Sequence, residues 1–269
     1  PRHPGANHLY IHALEASPHP EKADASAEVL RTLVPISGHL VHMPSHIDVQ
    51  CGRWAKAADQ NEAAIKADEA YRKISPRQDF NSVYMAHNHH FLAFAAMMEG
   101  RREVALKAAR TMIANVPPHF LKEKPEFVDP YQMIVIDVHK RFGRWDDILD
   151  EPPPPLTLPI THAHYHFARG LAFAAKGDIH GAYDEWDRFK IARSLVPEDA
   201  VMGINPAHKV LSIANYMLMG EIAFRCGRIT DAVRYLRIGV EREDSLLYME
   251  PPEWVQPLRH TLGAVLLYA

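Results

Sequence analysis

The chain has 269 residues, of which 47% are hydrophobic and 23% charged, and its formal net charge at pH 7 is −3. The hydrophobic content suffices for a sizeable core, and the near-neutral net charge argues against a general nucleic-acid binder. No apolar run approaches the ~20 residues of a membrane-spanning helix. Only Cys51 and Cys226 are cysteines, which excludes a disulfide scaffold. We therefore expect a soluble protein, cytoplasmic or periplasmic, that binds neither nucleic acid nor a membrane.

A pattern of glycine followed five residues later by alanine recurs along the chain. Its copies begin, in chain order, at Gly52, Gly100, Gly143, Gly177 and Gly227. The third copy is degenerate and ends at Ile148, and a weaker copy ends at Ala23; the intervals Ala23 to Ala57 and Ile148 to Ala182 are both 34 residues. Glycine suits the left-handed residue that ends a helix, and alanine lets two antiparallel helices approach closely. The pattern predicts successive helix–turn–helix units.

These units resemble the tetratricopeptide repeat (TPR) family, whose repeat is a helix–turn–helix of about 34 residues. The resemblance covers nearly the whole chain, as about six repeats and a final helix around 254–268. It implies an all-α fold, a right-handed solenoid of TPR-like repeats, in a single domain spanning 1–269. Some intervals exceed 34 residues, and the surplus segments at 75–82, 117–127 and 197–207 are expected to be loops.

The chain contains 18 histidines. Several of them cluster on the first helices of the first three predicted repeats. The clusters are His8, His12 and Glu15 on the first helix, His39, His42 and His46 on the second, and His87 and His90 on the third. At ~100° per residue, spacings of three, four and seven return to nearly the same helix face. Each cluster is therefore predicted to occupy one face of its helix.

The three clusters also share a register when counted from positions 4, 38 and 86. The TPR resemblance implies that the second, fifth, ninth and twelfth helix positions, where these residues fall, line a concave groove. Seven imidazoles in one groove repel one another when protonated, whereas a metal ion binds them in the neutral form. We therefore predict a metal centre within 1–115 whose ligands are His8, His12, Glu15, His39, His42, His46, His87 and His90.

The number and type of metal ions follow from the donor atoms. Imidazole suits zinc, copper, iron and nickel, and the scarcity of carboxylates disfavours magnesium, calcium and carboxylate-rich di-iron sites. Because one ion needs about three or four protein ligands, eight candidates indicate two ions, or one ion with further histidines around it. A dinuclear centre of copper or iron is favoured, with zinc possible. Glu15 is expected to bridge or bind the ions, or to act as the catalytic base.

The predicted function is a metal-dependent oxidoreductase or oxygenase that uses dioxygen to oxidise a small molecule or peptide in the groove. A metal-dependent hydrolase with Glu15 as base uses the same ligands, and metal storage uses them without turnover. The TPR resemblance itself implies a peptide-binding scaffold, whose groove is typically rich in asparagine, lysine and arginine. The candidate substrate contacts are Tyr10, Tyr84, Asp137, Arg141, His164 and Glu221; the sequence does not fix the oligomeric state.

Overall fold

A computed structural model describes residues 2–76, 78 and 81–269 of the chain. Apart from one short two-stranded hairpin, the regular structure of these residues is helical, so the predicted all-α class is confirmed. Within the same residues no helix is both long and apolar enough to cross a bilayer. The chain folds into two compact units, Pro1–Val116 and Pro117–Ala269.

The first unit carries all the predicted metal ligands. Its helices are α1 (Pro4–Glu15), α2 (Asp24–Leu33), α3 (Gly38–His42), α4 (Pro44–Gln50), α5 (Trp54–Ile74), α6 (Asn81–Glu99) and α7 (Arg102–Ala114), with a 3-10 turn at Pro20–Ala23. Helix α1 packs against α2 and α4, and α3 packs against both α5 and α6. This packing brings the histidine-bearing helices α1, α3, α4 and α6 together.

The second predicted histidine helix is divided in two at Pro44. Proline lacks the N–H that continues the helical hydrogen-bond ladder. Met43 nevertheless keeps helical dihedrals (φ −49°, ψ −38°), and its N–H donates to the carbonyl of His39 at 3.2 Å. The path of the backbone therefore stays helical across the break, and His42 and His46 keep their one-turn spacing.

The second unit consists of helix pairs and a small hairpin. Its elements are α8 (Pro118–Glu123), α9 (Pro125–Val128), a 3-10 turn (Asp129–Tyr131), α10 (Ile134–Arg141), α11 (Trp145–Asp150), α12 (Pro159–Ala175), α13 (Ile179–Ser194), β1 (Val201–Met202), β2 (Asn205–Pro206), α14 (Ala207–Arg225), α15 (Ile229–Asp244) and α16 (Leu258–Tyr268). Helix α12 packs against α13 and α14, and α15 packs against α14 and α16.

The three surplus segments are not all loops. The segment 117–127 contains α8 and most of α9. Each of these helices begins with a proline, whose fixed φ favours the first position of a helix. The segment 197–207 contains the hairpin, in which Val201 pairs with Pro206 and Met202 with Asn205. Of the segment 75–82, residues 77, 79 and 80 lie outside the described residues, and α6 begins at Asn81, five residues before the predicted start.

The glycine–alanine pattern has the structural role expected of it. The five repeat glycines have φ between 62° and 89°, so the prediction that they are left-handed is confirmed. The residues five positions later are all 0% exposed: Ala57, Ala105, Ile148, Ala182 and Ala232. Several helices that follow each other in the chain pack as pairs, among them α6 with α7, α12 with α13 and α14 with α15. A right-handed solenoid arrangement of these pairs stays a prediction.

Candidate metal centre

Helix packing in the first unit gathers the predicted ligands into two groups of three histidines. The outer triad is His8, His12 and His39, and the inner triad is His42, His46 and His87. Within each triad one ring nitrogen of every member lies within 4.8 Å of the others. A third group, His12, Glu15 and His46, overlaps both triads. His90 is buried on α6 and belongs to none of the three groups found among the described residues.

The inner triad packs against apolar surface. His42 is fully buried, His46 is 5% exposed and His87 is half-buried, while the ring of Phe91 is itself fully buried. The centroid of the Phe91 ring lies 5.0, 5.1 and 5.7 Å from the ring centroids of His42, His46 and His87, respectively. Phe91 therefore forms a wall shared by all three ligands and limits the access of water to them.

Glu15 determines which nitrogen of His46 carries the proton. Burial by itself raises the pKa of Glu15, but hydrogen bonds from His12 and His46 outweigh burial and lower that pKa to about 2. The carboxylate is thus ionised at neutral pH and can only accept hydrogen bonds. Nδ1 of His46 lies 2.5 Å from Oε2 of Glu15, and Nδ1 of His12 lies 2.9 Å from Oε1. Both Nδ1 atoms therefore carry a hydrogen, and in the neutral form of each ring Nε2 holds the lone pair.

Asn61 determines the tautomer of His42 in the same way. The side-chain amide nitrogen of Asn61 donates to the carbonyl of Ala57 at 2.8 Å, so its oxygen faces the histidine. Nδ1 of His42 lies 3.0 Å from that oxygen and must donate to it. Burial lowers the pKa of His42 well below 6.5, so the ring is neutral and its Nε2 also holds a lone pair.

Two ring nitrogens face each other inside the protein. Nε2 of His42 lies 2.7 Å from Nε2 of His46. With both rings neutral in these tautomers, the two lone pairs would repel at this separation. A cation that accepts both lone pairs, either a metal ion or a proton carried by His46, removes the conflict. Metal-bound histidines typically donate their other N–H to a carboxylate or carbonyl oxygen, as His46 and His42 do here.

The outer triad has similar spacing but more contact with solvent. Nε2 of His8 lies 3.1 Å from Nε2 of both His12 and His39. An ion with nitrogen ligands at about 2.0–2.1 Å in tetrahedral geometry separates those nitrogens by about 3.3 Å, close to the observed value. The side chain of His12 is 38% exposed, whereas burial lowers the pKa of His39 to about 4. The outer triad therefore also presents imidazole nitrogens at ligand spacing.

The predicted substrate contacts lie in different surroundings. Tyr84 is 41% exposed, and its ring centroid lies 4.8 Å from that of His39. Tyr10 is 47% exposed and is two residues from both His8 and His12, which places it on the far side of α1.

The remaining predicted contacts belong to the second unit. Asp137 and His164 are 2% and 0% exposed. Asp137 accepts hydrogen bonds from Nζ of Lys140 at 2.6 Å and from Nε2 of His164 at 3.2 Å. Glu221 accepts from Arg225 at 2.8 Å, and Arg141 is half-buried at the end of α10. A role for these four residues in substrate binding stays a prediction.

Two residues of the centre, Asn61 and Phe91, were not predicted from the sequence. Asn61 lies on α5, the second helix of its predicted repeat, whereas all the predicted ligands lie on first helices. A polar residue one turn after the packing residue Ala57 is the signal that points to it. Phe91 lies one turn after His87 on α6, so the same helical spacing that groups the histidines predicts its position beside them.

Comparison with known proteins identifies no family for this chain. No family model matches it, and no curated protein is significantly similar to it. The TPR resemblance therefore remains a prediction, and the donor atoms themselves indicate the chemistry of the site.

Proposed function

We propose that the protein is a metal-dependent oxidoreductase with a two-ion histidine centre in its first unit. The observation that carries the proposal is the grouping of six histidines into two triads, in each of which one ring nitrogen of every member lies within 4.8 Å of the others. Each triad offers three imidazole nitrogens to one ion. Three protein ligands leave a further coordination position for an exogenous molecule, which is the arrangement of catalytic rather than closed structural sites.

The donor set favours copper or iron, with zinc as the third candidate, because imidazole is a good ligand for all three. When bound, a copper or iron ion supplies electron-transfer chemistry with dioxygen as the oxidant. The surrounding residues have separate tasks. Glu15 and Asn61 hold the histidine tautomers that point Nε2 at the ion, and Phe91 keeps water away from the inner triad. The substrate class is a small molecule or a peptide.

The position of Glu15 favours oxidation over hydrolysis. A hydrolytic site needs a base that can take a proton from metal-bound water. Burial raises the pKa of Glu15, but hydrogen bonds from His12 and His46 outweigh it and lower that pKa to about 2, so Glu15 is a weak base. We therefore assign Glu15 as a positioning residue for the ligands, in place of the ligand or catalytic base expected from the sequence.

Metal analysis of protein produced without an affinity tag tests this proposal. We expect two equivalents of copper or iron in the wild type, and loss of at least one equivalent in His42→Ala with an unchanged circular dichroism spectrum. The matched control is His19→Ala, which removes an exposed histidine of the same unit that pairs with Glu21 and lies outside both triads. The loaded protein is then assayed for dioxygen consumption against small molecules and peptides.

The alternatives predict different results from the same measurement. Two equivalents of zinc without redox activity would favour the hydrolase. Protein that stays metal-free even after titration with copper, iron and zinc would overturn the proposal and leave the peptide-binding scaffold. Retention of both equivalents in His42→Ala would contradict the ligand assignment.

A further inference from the structure

We infer that the two triads have different roles: the inner triad holds its ion permanently, and the outer triad is the exchangeable position at which an exogenous ligand binds. This inference rests on the proposed two-ion centre. It concerns which of the two ions meets the substrate, and three independent features of the first unit support it.

The first feature is the difference in burial. His42 and His46 are 0% and 5% exposed, His87 is half-buried, and the buried Phe91 ring packs against all three. In the outer triad, the side chain of His12 is 38% exposed and His8 is half-buried. A molecule from solvent, whether a chelator or a substrate, can therefore approach the outer triad without displacing core residues.

The second feature is the difference in how firmly the ligands are oriented. In the inner triad, Nδ1 of His42 donates to Asn61 and Nδ1 of His46 donates to Glu15. In the outer triad, Nδ1 of His12 donates to Glu15, but Nδ1 of His39 is buried without a hydrogen-bond partner among the described residues. Because such partners raise metal affinity about 10- to 100-fold, the inner triad is the tighter site.

The third feature is the aromatic surface beside the outer triad. The ring of Tyr84 is 41% exposed and lies 4.8 Å from the ring of His39. This partly exposed ring beside His39 of the outer triad gives a bound molecule a surface to pack on. The inner triad instead meets the fully buried ring of Phe91. The approach of an exogenous ligand is therefore from the Tyr84 side.

Cobalt(II) substitution tests the inference with a spectroscopic readout that does not depend on activity. Metal-free protein is loaded with Co²⁺, and the visible absorption is followed after addition of EDTA and, separately, of azide. We expect two phases of cobalt loss whose rates differ about tenfold or more. This factor is the lower end of the about 10- to 100-fold change in metal affinity that ligand-orienting hydrogen bonds cause. We also expect azide to change the spectrum of the fast-exchanging ion only.

Variants assign each phase to a triad. His8→Ala is expected to remove the fast phase and the azide response while keeping the slow phase, and His39→Gln provides a second outer variant if His8→Ala does not fold. His42→Ala is expected to lose the slow phase. A single rate for both ions, or an azide response that survives in His8→Ala and disappears in His42→Ala, would overturn the inference while the two-ion centre stands. Failure to bind cobalt at all would overturn both.

Discussion

Glu15 and His46 are joined across two helices, because Nδ1 of His46 on α4 donates a hydrogen bond of 2.5 Å to Oε2 of Glu15 at the end of α1. The other carboxylate oxygen accepts from Nδ1 of His12 at 2.9 Å. Since His46 belongs to the inner triad and His12 to the outer one, a single carboxylate orients one ring in each. The two sites are therefore coupled through a residue that need not touch either ion.

Replacing Glu15 by glutamine is expected to weaken both sites. The amide has one acceptor oxygen and an NH₂ group, so it can accept from only one of the two histidines and faces the other with a donor. The mismatched ring must change tautomer, which turns its lone pair away from the ion. We expect Glu15→Gln to lower metal affinity about 10- to 100-fold, measured by competition with a chromogenic chelator.

The matched control is Glu21→Gln. Glu21 also accepts from a histidine, Nδ1 of His19 at 3.2 Å, but this exposed pair lies outside both triads. Its replacement is expected to leave metal affinity unchanged. Equal affinities of the Glu15→Gln and Glu21→Gln proteins would show that the carboxylate does not position the ligands.

Asn61 offers a test restricted to the inner triad. Asn61→Leu removes the acceptor 3.0 Å from Nδ1 of His42 and leaves the Ser45 hydroxyl, at 3.3 Å, as the nearby acceptor, so the ring is held less firmly. We expect affinity at the inner site to fall about tenfold while the outer site is unaffected, as measured by stepwise titration with Co²⁺. Asn61→Asp keeps an acceptor oxygen at the same place and is expected to bind more tightly than Asn61→Leu. Equal losses in the two variants would refute the orienting role.

The helix faces of the candidate site could be predicted from the sequence because they depend only on local geometry. Spacings of three and four residues place His8 with His12, and His42 with His46, on single helix faces whatever the rest of the chain does. The register also places His90 with His87. His90 belongs to none of the three groups found among the described residues, and its role as a ligand stays a prediction.

The division into two triads could not be predicted, because it depends on contacts between distant parts of the chain. The 3.1 Å contact between His8 and His39 joins residues that are 31 positions apart, and the contact of His42 with Asn61 spans 19 positions. Such contacts are fixed by the angles and distances at which helices cross, which side-chain packing sets. The hydrogen bonds that select each tautomer follow from these crossings.

The pH dependence of stability is expected to report on His164 in the second unit. Burial lowers the pKa of His164 below 6.5, against an opposing contribution from Asp137. The unfolded chain therefore binds this proton at a higher pH than the folded protein does. Stability is independent of this group above about pH 6.5 and falls as the pH decreases below that value, by at most about 1.4 kcal/mol per pH unit.

Urea unfolding between pH 7 and 5, followed by tryptophan fluorescence, measures this slope, since the Trp254 ring lies 6.2 Å from that of His164. We expect His164→Gln to have a shallower decline in the free energy of unfolding than the wild type. The control His208→Gln, at an exposed position of the same unit, is expected to keep the wild-type slope. An identical slope in His164→Gln would rule out the buried neutral histidine.

The close approach of helices in the second unit predicts opposite effects for the same substitution at two glycines. A Cβ atom added at Gly220 on α14 would lie 2.7 Å from Cγ of Leu236 on α15, closer than atoms can pack, so the helices must move apart. Overpacking of this kind costs about 1–3 kcal/mol, more than the gain of up to about 1 kcal/mol in helix propensity. We therefore expect Gly220→Ala to lower the free energy of unfolding.

Gly263 on α16 is the matched position, because a Cβ atom there meets no described atom within 4 Å outside its own helix backbone. Gly263→Ala is expected to raise the free energy of unfolding by about 0.5–1 kcal/mol through helix propensity alone. Both variants are compared by urea unfolding at one pH, with metal content as a second readout that neither should change. A stabilised Gly220→Ala protein would mean that α14 and α15 tolerate a wider separation, and that the small residue does not fix their packing.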